Sequence, residues 1–301
     1  MRISRVATSA CLGLLKQLVG HITPGDRAYL AHEIMHDRFH PSTRALNDLF
    51  SQGVLAWKNK RYLVEVNGEA ALLRRLKPFG PKMLFDLGAN VGDWSLAALD
   101  ALPQAEVHAF EIAPATAEEL KNNLIAYAGR ARVIPKGMGM KEGEIKLYFT
   151  PESTTAASMI PGVVEFSAGE HHIHTVQEII AEITTGDRYV TDNKIERVDF
   201  LKIDVEGAEW DVLQGFSDAF AKEKIQMVQF EYGPLNLKTR QYLADYWDFF
   251  ASRGFVVGKL FPEGVAFKDF DMTDEDFIGP NFIACLKGRT DLVEALRCEV
   301  P

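Results

Sequence analysis

The sequence predicts an α/β protein organised around a doubly wound, largely parallel β-sheet. Short apolar segments alternate with helical segments from residue 83 to residue 286, which is typical of a parallel sheet covered on both faces. A hydrophobic content of 47% is sufficient for the core of such a sheet. The segment 78–81, Pro-Phe-Gly-Pro, breaks the chain directly before the first strand and marks the start of the domain.

Each element follows from a local pattern in the sequence. Apolar and β-branched segments predict strands over 83–87, 106–111, 132–135, 144–149, 200–203, 226–231, 255–260 and 281–286. Stretches with helical periodicity predict helices over 93–102, 115–127, 176–183, 208–216 and 239–253. Because helices separate most of the central strands, those strands are expected to run parallel.

Three parts of the chain are expected. The sheet domain covers 81–290 and contains a largely irregular insertion at 150–195. Residues 1–80 form an N-terminal accessory region with helices, one of them at 69–76, and a β-hairpin over 54–66. Residues 291–301 form a C-terminal tail.

The first 22 residues carry apolar side chains at helical spacing. This pattern predicts an amphipathic helix that packs on its own domain or on a partner. A weakly bound helix at a membrane surface is the alternative interpretation. No segment reaches the ~18 apolar residues that a spanning helix needs, so no further membrane association is expected.

Charge and cysteine content limit the partners and the compartment. The chain has 33 Lys and Arg against 42 Asp and Glu, a net charge of −9, which argues against nucleic acid as the main partner. The three cysteines, Cys11, Cys285 and Cys298, are too few and too scattered for a disulfide framework. A reducing compartment, and therefore a cytoplasmic location, is expected.

A glycine turn follows the first strand, in the segment 84–94, Leu-Phe-Asp-Leu-Gly-Ala-Asn-Val-Gly-Asp-Trp. Gly88 allows a tight turn close to a ligand, and Gly92 allows the helix to begin beside it. Asp86, at the end of the strand, is placed to accept a hydrogen bond from an ammonium group. Glu111 ends the second strand and is placed to accept from two ribose hydroxyls. Together these features predict a nucleotide-like ligand.

The spacing of the glycines favours one nucleotide over another. A dinucleotide site would favour Gly-x-Gly-x-x-Gly, but here Ala89 and Asn90 stand between Gly88 and Gly92. The acidic side chains beside this turn would repel a pyrophosphate, whereas they would attract a cationic sulfonium ligand that also carries an ammonium group. S-adenosylmethionine is therefore favoured. A nicotinamide-dependent oxidoreductase and a non-catalytic binding module stay open as alternatives.

A second cluster of acids follows the fourth and fifth strands. Asp204 and Glu206 lie at the same rim of the sheet as the glycine turn, Lys202 shares a strand face with Asp204, and Glu231 ends strand five. Any of the three acids is a candidate to accept the proton of an attacking alcohol. Alternatively, Asp204 and Glu231 hold Mg²⁺, which would acidify and orient a hydroxyl.

These motifs together resemble the FkbM-type methyltransferase family. The stretch 201–215 is similar to that family's most distinctive segment, while 86–92 and 109–111 resemble its cofactor motifs. The resemblance implies a Rossmann-like class I methyltransferase sheet and O-methylation, by in-line displacement, of a hydroxyl on a sugar, a glycan or a natural product. It assigns cofactor binding to Asp86, Gly88, Ala89, Asn90, Gly92, Glu111, Ile112, Met138 and Asp204. Asp204, Glu206, Glu231 and Lys202 are the candidate catalytic residues.

Two histidine patterns suggest other chemistry. His32-Glu33-x-x-His36, followed by His40, matches the short pattern of a zinc hydrolase. His171, His172 and His174 lie in the insertion. Two interpretations of these histidines stay open. Either they are exposed residues at a strand edge, or one of them acts in the active site as a base or a ligand.

Overall fold

The computed structural model describes residues 13, 16–17, 19–150, 153–158 and 177–299. The chain divides into two compact units between Ala56 and Trp57. The first unit contains helix α1 (Pro24–Ile34) and most of helix α2 (Pro41–Trp57). Along the described stretches, no helix has the length and apolar character needed to cross a membrane.

The second unit carries the sheets and the site. Its main helices are α3 (Glu69–Leu76), α4 (Asp93–Ala101), α5 (Pro114–Asn123), α6 (Gly186–Asp192), α7 (Glu209–Gly215), α8 (Ser217–Ala221), α9 (Asn236–Thr239), α10 (Leu243–Ala251) and α11 (Thr290–Leu296). Its strands are β1 (Met83–Leu87), β2 (Glu106–Phe110), β3 (Ala131–Ile134), β4 (Gly137–Met138), β5 (Gly143–Thr150), β6 (Ser153–Ser158), β7 (Gln177–Thr184), β8 (Phe200–Ile203), β9 (Met227–Glu231), β10 (Phe255–Phe261), β11 (Gly264–Phe267) and β12 (Asn281–Leu286).

The larger sheet has eight strands in the order β11-β10-β12-β9-β8-β1-β2-β3. The five strands from β9 to β3 run parallel, whereas β12, β10 and β11 continue the sheet with antiparallel pairings. The predicted doubly wound α/β fold is therefore confirmed. The strand order reverses between β1 and β8, which is where ligands bind in open sheets of this kind.

Apolar side chains cover both faces of this sheet. On one face, Leu73 of α3, Leu99 of α4 and Leu296 of α11 pack in one buried cluster with residues of the central strands. On the other face, helices α6, α7, α8 and α10 contribute a second cluster that includes Phe216 and Phe250. Near-complete burial on both sides explains why the central strands are mostly apolar in the sequence.

The insertion is more regular than the sequence suggested. The expected helix over 176–183 is wrong, because Gln177–Thr184 forms strand β7. It pairs antiparallel with β5, with Leu147 opposite Ile179, and completes a four-stranded sheet in the order β4-β7-β5-β6. Isoleucine fits both helical and strand patterns in a short segment, and here pairing with a distant strand decides the structure.

The expected hairpin over 54–66 is also wrong. Helix α2 continues through Trp57, and Asn59 then adopts a left-handed conformation with φ of 56°. The buried amide of Asn59 donates to the carbonyl oxygens of Asn67 and Leu260, at 2.7 and 2.9 Å. These contacts hold the segment after α2 beside β10, and this segment forms turns rather than paired strands. Helix α3 follows it and packs on the sheet. The compact unit therefore begins at Trp57 and not near residue 81.

Candidate active site

The glycine turn after β1 packs directly against the end of β8. Gly88 has φ of 75°, and its N–H donates to the carbonyl oxygen of Phe110 at 3.0 Å, as does that of Ala89 at 2.9 Å. A Cβ atom on Gly88 would lie 1.7 Å from the carbonyl oxygen of Asp204. Only glycine fits this position, and the turn and the acid cluster form one continuous rim.

Replacing Gly88 by alanine should lower the free energy of unfolding by about 2–4 kcal/mol, because backbone strain and a steric clash add. Gly254 is a matched control. It has nearly the same φ, 78°, but no atom within 4 Å of its hypothetical Cβ. Gly254→Ala should cost only about 1–2 kcal/mol, since it carries the strain alone. Urea unfolding of both variants measures the difference, and equal losses would contradict the packing argument.

Glu111 holds the loop that follows the glycine turn. Its Oε2 accepts from the N–H of Asn90 at 2.9 Å and its Oε1 accepts from the N–H of Ala113 at 2.8 Å. Burial raises the pKa of Glu111, and these backbone hydrogen bonds oppose the increase. Asn90 adopts φ of 49°, and its side-chain Oδ1 is buried without a hydrogen-bond partner among the described residues. An unsatisfied buried acceptor beside Glu111 is what a polar ligand in this crevice would complete.

Asp86 is fully buried at the end of β1. Its Oδ2 accepts from the hydroxyl of Ser95 at 2.7 Å, and its Oδ1 lies 3.1 Å from the ammonium of Lys202. The carboxylate therefore ties the first turn of α4 to β8. An additional hydrogen bond from a cofactor ammonium stays a prediction. Ser95 was not among the predicted site residues, although its position in the first turn after Gly92 places it beside the strand end.

Ile112 and Met138 lie together where the two sheets meet. The side chain of Ile112 packs against Gly137, and Met138 is 3% exposed within the core of the larger sheet. Little surface of Met138 faces solvent, so the cofactor contact assigned to this side chain stays a prediction. Gly92 begins α4 with φ of 100° and packs against Leu120.

Lys202 is a buried cation among carboxylates. Its ammonium lies 3.1 Å from Asp86 and 3.3 Å from Asp204. Burial lowers the pKa of Lys202, but the charges of Asp204, Asp86 and Glu69 outweigh burial and the net direction is upward. Lys202 therefore stays charged and holds the two strand ends together. The predicted proximity of Lys202 and Asp204 is present in the structure.

Glu69 is a member of this site that the sequence analysis missed. It begins α3, is 3% exposed, and accepts from the amides of Asn67 and Gln229. Gln229 lies on β9 next to Lys202 in register, and its amide also donates to Asn281 at 3.1 Å. Burial raises the pKa of Glu69, and the charge of Lys202 opposes the increase. The sequence contained one indication of this contact: Gln229 lies in a strand expected to be buried, and a buried amide needs a polar partner.

Three further glutamates surround Asp204. The side chain of Asp204 is 38% exposed. Burial and the neighbouring carboxylates, Asp204 first, raise the pKa of Glu231 well above its ordinary value, and a hydrogen bond joins Glu231 to Asp204. The same two causes raise the pKa of Glu206 to about 8. Glu206 also has φ of 53°, a strained conformation of the kind that clusters at functional sites.

Glu209, at the start of α7, supports the loop between β8 and α7. Its Oε1 accepts from the N–H groups of Val205 and Gly207, both at 3.1 Å. Burial raises the pKa of Glu209 to about 7, against the backbone hydrogen bonds. A protonated glutamate at this position leaves Asp204 as the exposed charge of the cluster.

The protein should lose stability as the pH rises from 4.5 to 7, because Glu209 keeps its proton in the folded chain while the unfolded chain releases it. The contribution of this group is about 3 kcal/mol at most, by linkage. Glu209→Gln keeps the acceptor for the backbone amides and removes the titration. Its unfolding free energy should therefore fall less steeply over this range in chemical denaturation. An unchanged slope would contradict the assignment.

The described residues give no support to the metal interpretations. No cluster of three or more His, Cys, Asp or Glu able to hold a metal ion occurs in the described part of the chain. Asp204 pairs with Lys202, and burial and neighbouring carboxylates raise the pKa of Glu231, which opposes the deprotonated form that a metal needs. In the first unit, α1 ends at Ile34, so His32 and His36 do not share one helical face. His171, His172 and His174 lie outside the described residues.

Several known proteins are similar in sequence to this chain. Three curated relatives are Methyltransferase 1 of Beauveria bassiana, the hexuronic acid methyltransferase AglP of Haloferax volcanii and the 31-O-demethyl-FK506 methyltransferase FkbM of Streptomyces tacrolimicus. They are 29%, 28% and 28% identical over 45%, 56% and 46% of this chain. The alignments span 58%, 65% and 60% of those proteins, so each leaves more than a third of the relative unmatched.

A family model covers the centre of the chain. The methyltransferase FkbM domain matches residues 86–257, which is more than half of the sequence. The matched region begins at the buried Asp86 and includes the glycine turn, Glu111 and the whole acid cluster. On this evidence the chain belongs to the FkbM methyltransferase domain family.

Proposed function

We propose that the protein is an S-adenosylmethionine-dependent methyltransferase that methylates a hydroxyl oxygen. The observation that carries this proposal is the contact between the glycine turn and the acid cluster. Gly88 packs against the backbone of Asp204, so a cofactor bound at the turn lies beside a carboxylate that can accept a proton. Membership of a methyltransferase family supports the same conclusion.

The residues of the crevice fit the chemistry of this cofactor. Asn90 offers a buried acceptor without a partner, and Glu111 has a second lone pair on each oxygen for the ribose hydroxyls. Gly88 allows the backbone to lie close to the cofactor, and Asp86 fixes the end of β1 through its contacts with Ser95 and Lys202. S-adenosylmethionine would supply an electrophilic methyl group on a sulfonium. Its alignment with the acceptor oxygen can contribute ~7–11 kcal/mol to catalysis.

The pKa values distinguish the roles of the acids. Burial and neighbouring charges raise the pKa of Glu231 well above its ordinary value and that of Glu206 to about 8, which favours the protonated form of both side chains. Asp204 is exposed and paired with Lys202, so it is the carboxylate that accepts the proton of the attacking alcohol. Protonated Glu231 donates to Asp204 and orients it.

We further propose that the acceptor is a hydroxylated small molecule or glycan, and that the insertion at 150–195 contributes to its recognition. The names of two relatives, a hexuronic acid methyltransferase and a 31-O-demethyl-FK506 methyltransferase, support a sugar or natural-product acceptor. The net charge of −9 supports an acceptor other than nucleic acid.

Methyl transfer to a panel of acceptors tests this function. The whole chain is incubated with S-adenosylmethionine labelled in the methyl group and with hydroxylated sugars, lipid-linked glycans and macrolide alcohols. We expect alkali-stable label on at least one acceptor. In parallel, calorimetry should detect S-adenosylmethionine and S-adenosylhomocysteine but not NAD. Tight binding of NAD without any response to the adenosyl ligands would instead support an oxidoreductase.

A further inference from the structure

A cavity of about 200 Å³ lies at the antiparallel end of the sheet. Strands β10, β11 and β12 form its floor, and the segment after β11 forms one side. Two tryptophans, Trp57 and Trp247, stand in its lining together with Phe282. An engineered protein cavity of ~150 Å³ is large enough for benzene, so this cavity accommodates one ring with a small substituent.

The sheet separates this cavity from the acid cluster. Lys259, in the cavity lining, stands opposite Phe282 in the strand pairing and therefore on the same face. Phe282 stacks on Phe230, which in turn stacks on Tyr246 of α10. Lys202 is instead in register with Gln229, whose amide reaches α3 on the other face. The two sites are therefore distinct.

The charges in the cavity leave one lysine without a carboxylate. Lys58 pairs with Asp276 and Lys268 pairs with Asp274, each at 2.8 Å. The third lysine, Lys259, donates to the carbonyl oxygen of Ile278 and lies 5.2 Å from the centre of the Phe282 ring. Across the residues that the structure describes, no acid lies within ion-pair distance of its ammonium. The cavity therefore has one uncompensated positive charge in a chain of net charge −9.

We propose that the cavity binds a small organic monocarboxylate, whose ring packs on the aromatic lining and whose carboxylate pairs with Lys259. A single negative charge matches the single uncompensated cation. A phosphate dianion would place a second negative charge near Asp274 and Asp276, which already neutralise the other two lysines. Aromatic walls favour a flat ring because stacked and edge contacts stabilise it beyond simple burial.

Binding should depend on pH. Burial lowers the pKa of Lys259 to about 8, Asp276 and Asp274 oppose this decrease, and Lys58 adds to it. The ammonium, which is the form that pairs with a carboxylate, is therefore lost above pH 8. We expect the affinity for a carboxylate to fall by about tenfold between pH 7 and pH 9.

Benzoate is the probe, and benzamide is its uncharged counterpart of the same shape. Calorimetry and tryptophan fluorescence of the whole chain at pH 7 should show benzoate binding at least tenfold more tightly than benzamide. Lys259→Met should remove this preference. Lys222→Met, which breaks an exposed surface pair with Asp218, should bind benzoate like the parent protein. Asp204→Asn should also retain binding, so a failure of the proposed methyl transfer would not affect this result.

Equal affinities for benzoate and benzamide would overturn the proposal, as would no response to benzoate up to about 10 mM, beyond which binding is too weak to be specific. Unchanged binding to a folded Lys259→Met protein would also overturn it. Circular dichroism establishes whether each variant is folded, and Lys259→Gln is a second variant. The comparison of the two probes on the parent protein requires no substitution at all.

Discussion

Replacing Asp204 by asparagine should reduce the rate of methyl transfer by about 10²–10⁴-fold, the range expected when a general base is lost. Asparagine keeps the size and the hydrogen-bonding oxygen, so the loop between β8 and α7 should stay in place. Its amide cannot accept the proton of the alcohol. Affinity for S-adenosylmethionine, measured by calorimetry, should change far less than the rate, because all the other residues assigned to the cofactor lie outside β8 and the loop that follows it.

Two further variants serve as comparisons for Asp204→Asn. Glu206→Gln should reduce the rate less than Asp204→Asn, since Glu206 already carries a proton at neutral pH. Asp218→Asn, on the exposed surface of α8, should leave the rate unchanged. If Asp204→Asn retained a near-normal rate while Glu206→Gln lost it, the base would be Glu206. The rate of the parent protein would then rise with pH up to about 8.

The parts of the fold that were predictable from the sequence are those set by local pattern. Strands β1 and β8 are mostly apolar, as burial on both faces requires, and an acid stands at or directly after the end of each. Gly88 and Gly92 were interpretable for a similar reason, since a left-handed turn selects glycine. The order of these motifs along the chain was sufficient to place Asp86, Glu111 and Asp204 at one rim.

The parts that were not predictable depend on contacts between distant residues. Strand β7 has the composition of a helix or a strand, and only its pairing with β5 decides between them. Glu69 bonds to Gln229 across 160 residues of sequence, so no local pattern connects the two. The raised pKa of Glu231 likewise depends on burial and on Asp204, Glu206 and Glu209, which the segment after β8 supplies and which are not its neighbours in sequence.

Replacing Lys202 by methionine should lower the free energy of unfolding by about 3–5 kcal/mol, the range measured when one partner of a buried ion pair is removed. Asp86 is fully buried and, of the side-chain partners that the described residues give it, would keep the hydroxyl of Ser95 and lose the ammonium of Lys202. Urea unfolding at pH 7 measures the loss. Lys222→Met, which breaks an exposed pair, should cost less than about 1 kcal/mol.

A double substitution shows whether the loss comes from charge or from packing. If the uncompensated carboxylate of Asp86 is the cause, Lys202→Met combined with Asp86→Asn should be more stable than Lys202→Met alone, because the buried negative charge is removed. If lost packing is the cause, the two substitutions should add. Recovery of stability in the double variant would mean that the charge of Lys202 holds β1, which carries Asp86, next to the end of β8, which precedes Asp204. The same ion-pair network then accounts for both the stability of this rim and the position of its proposed base.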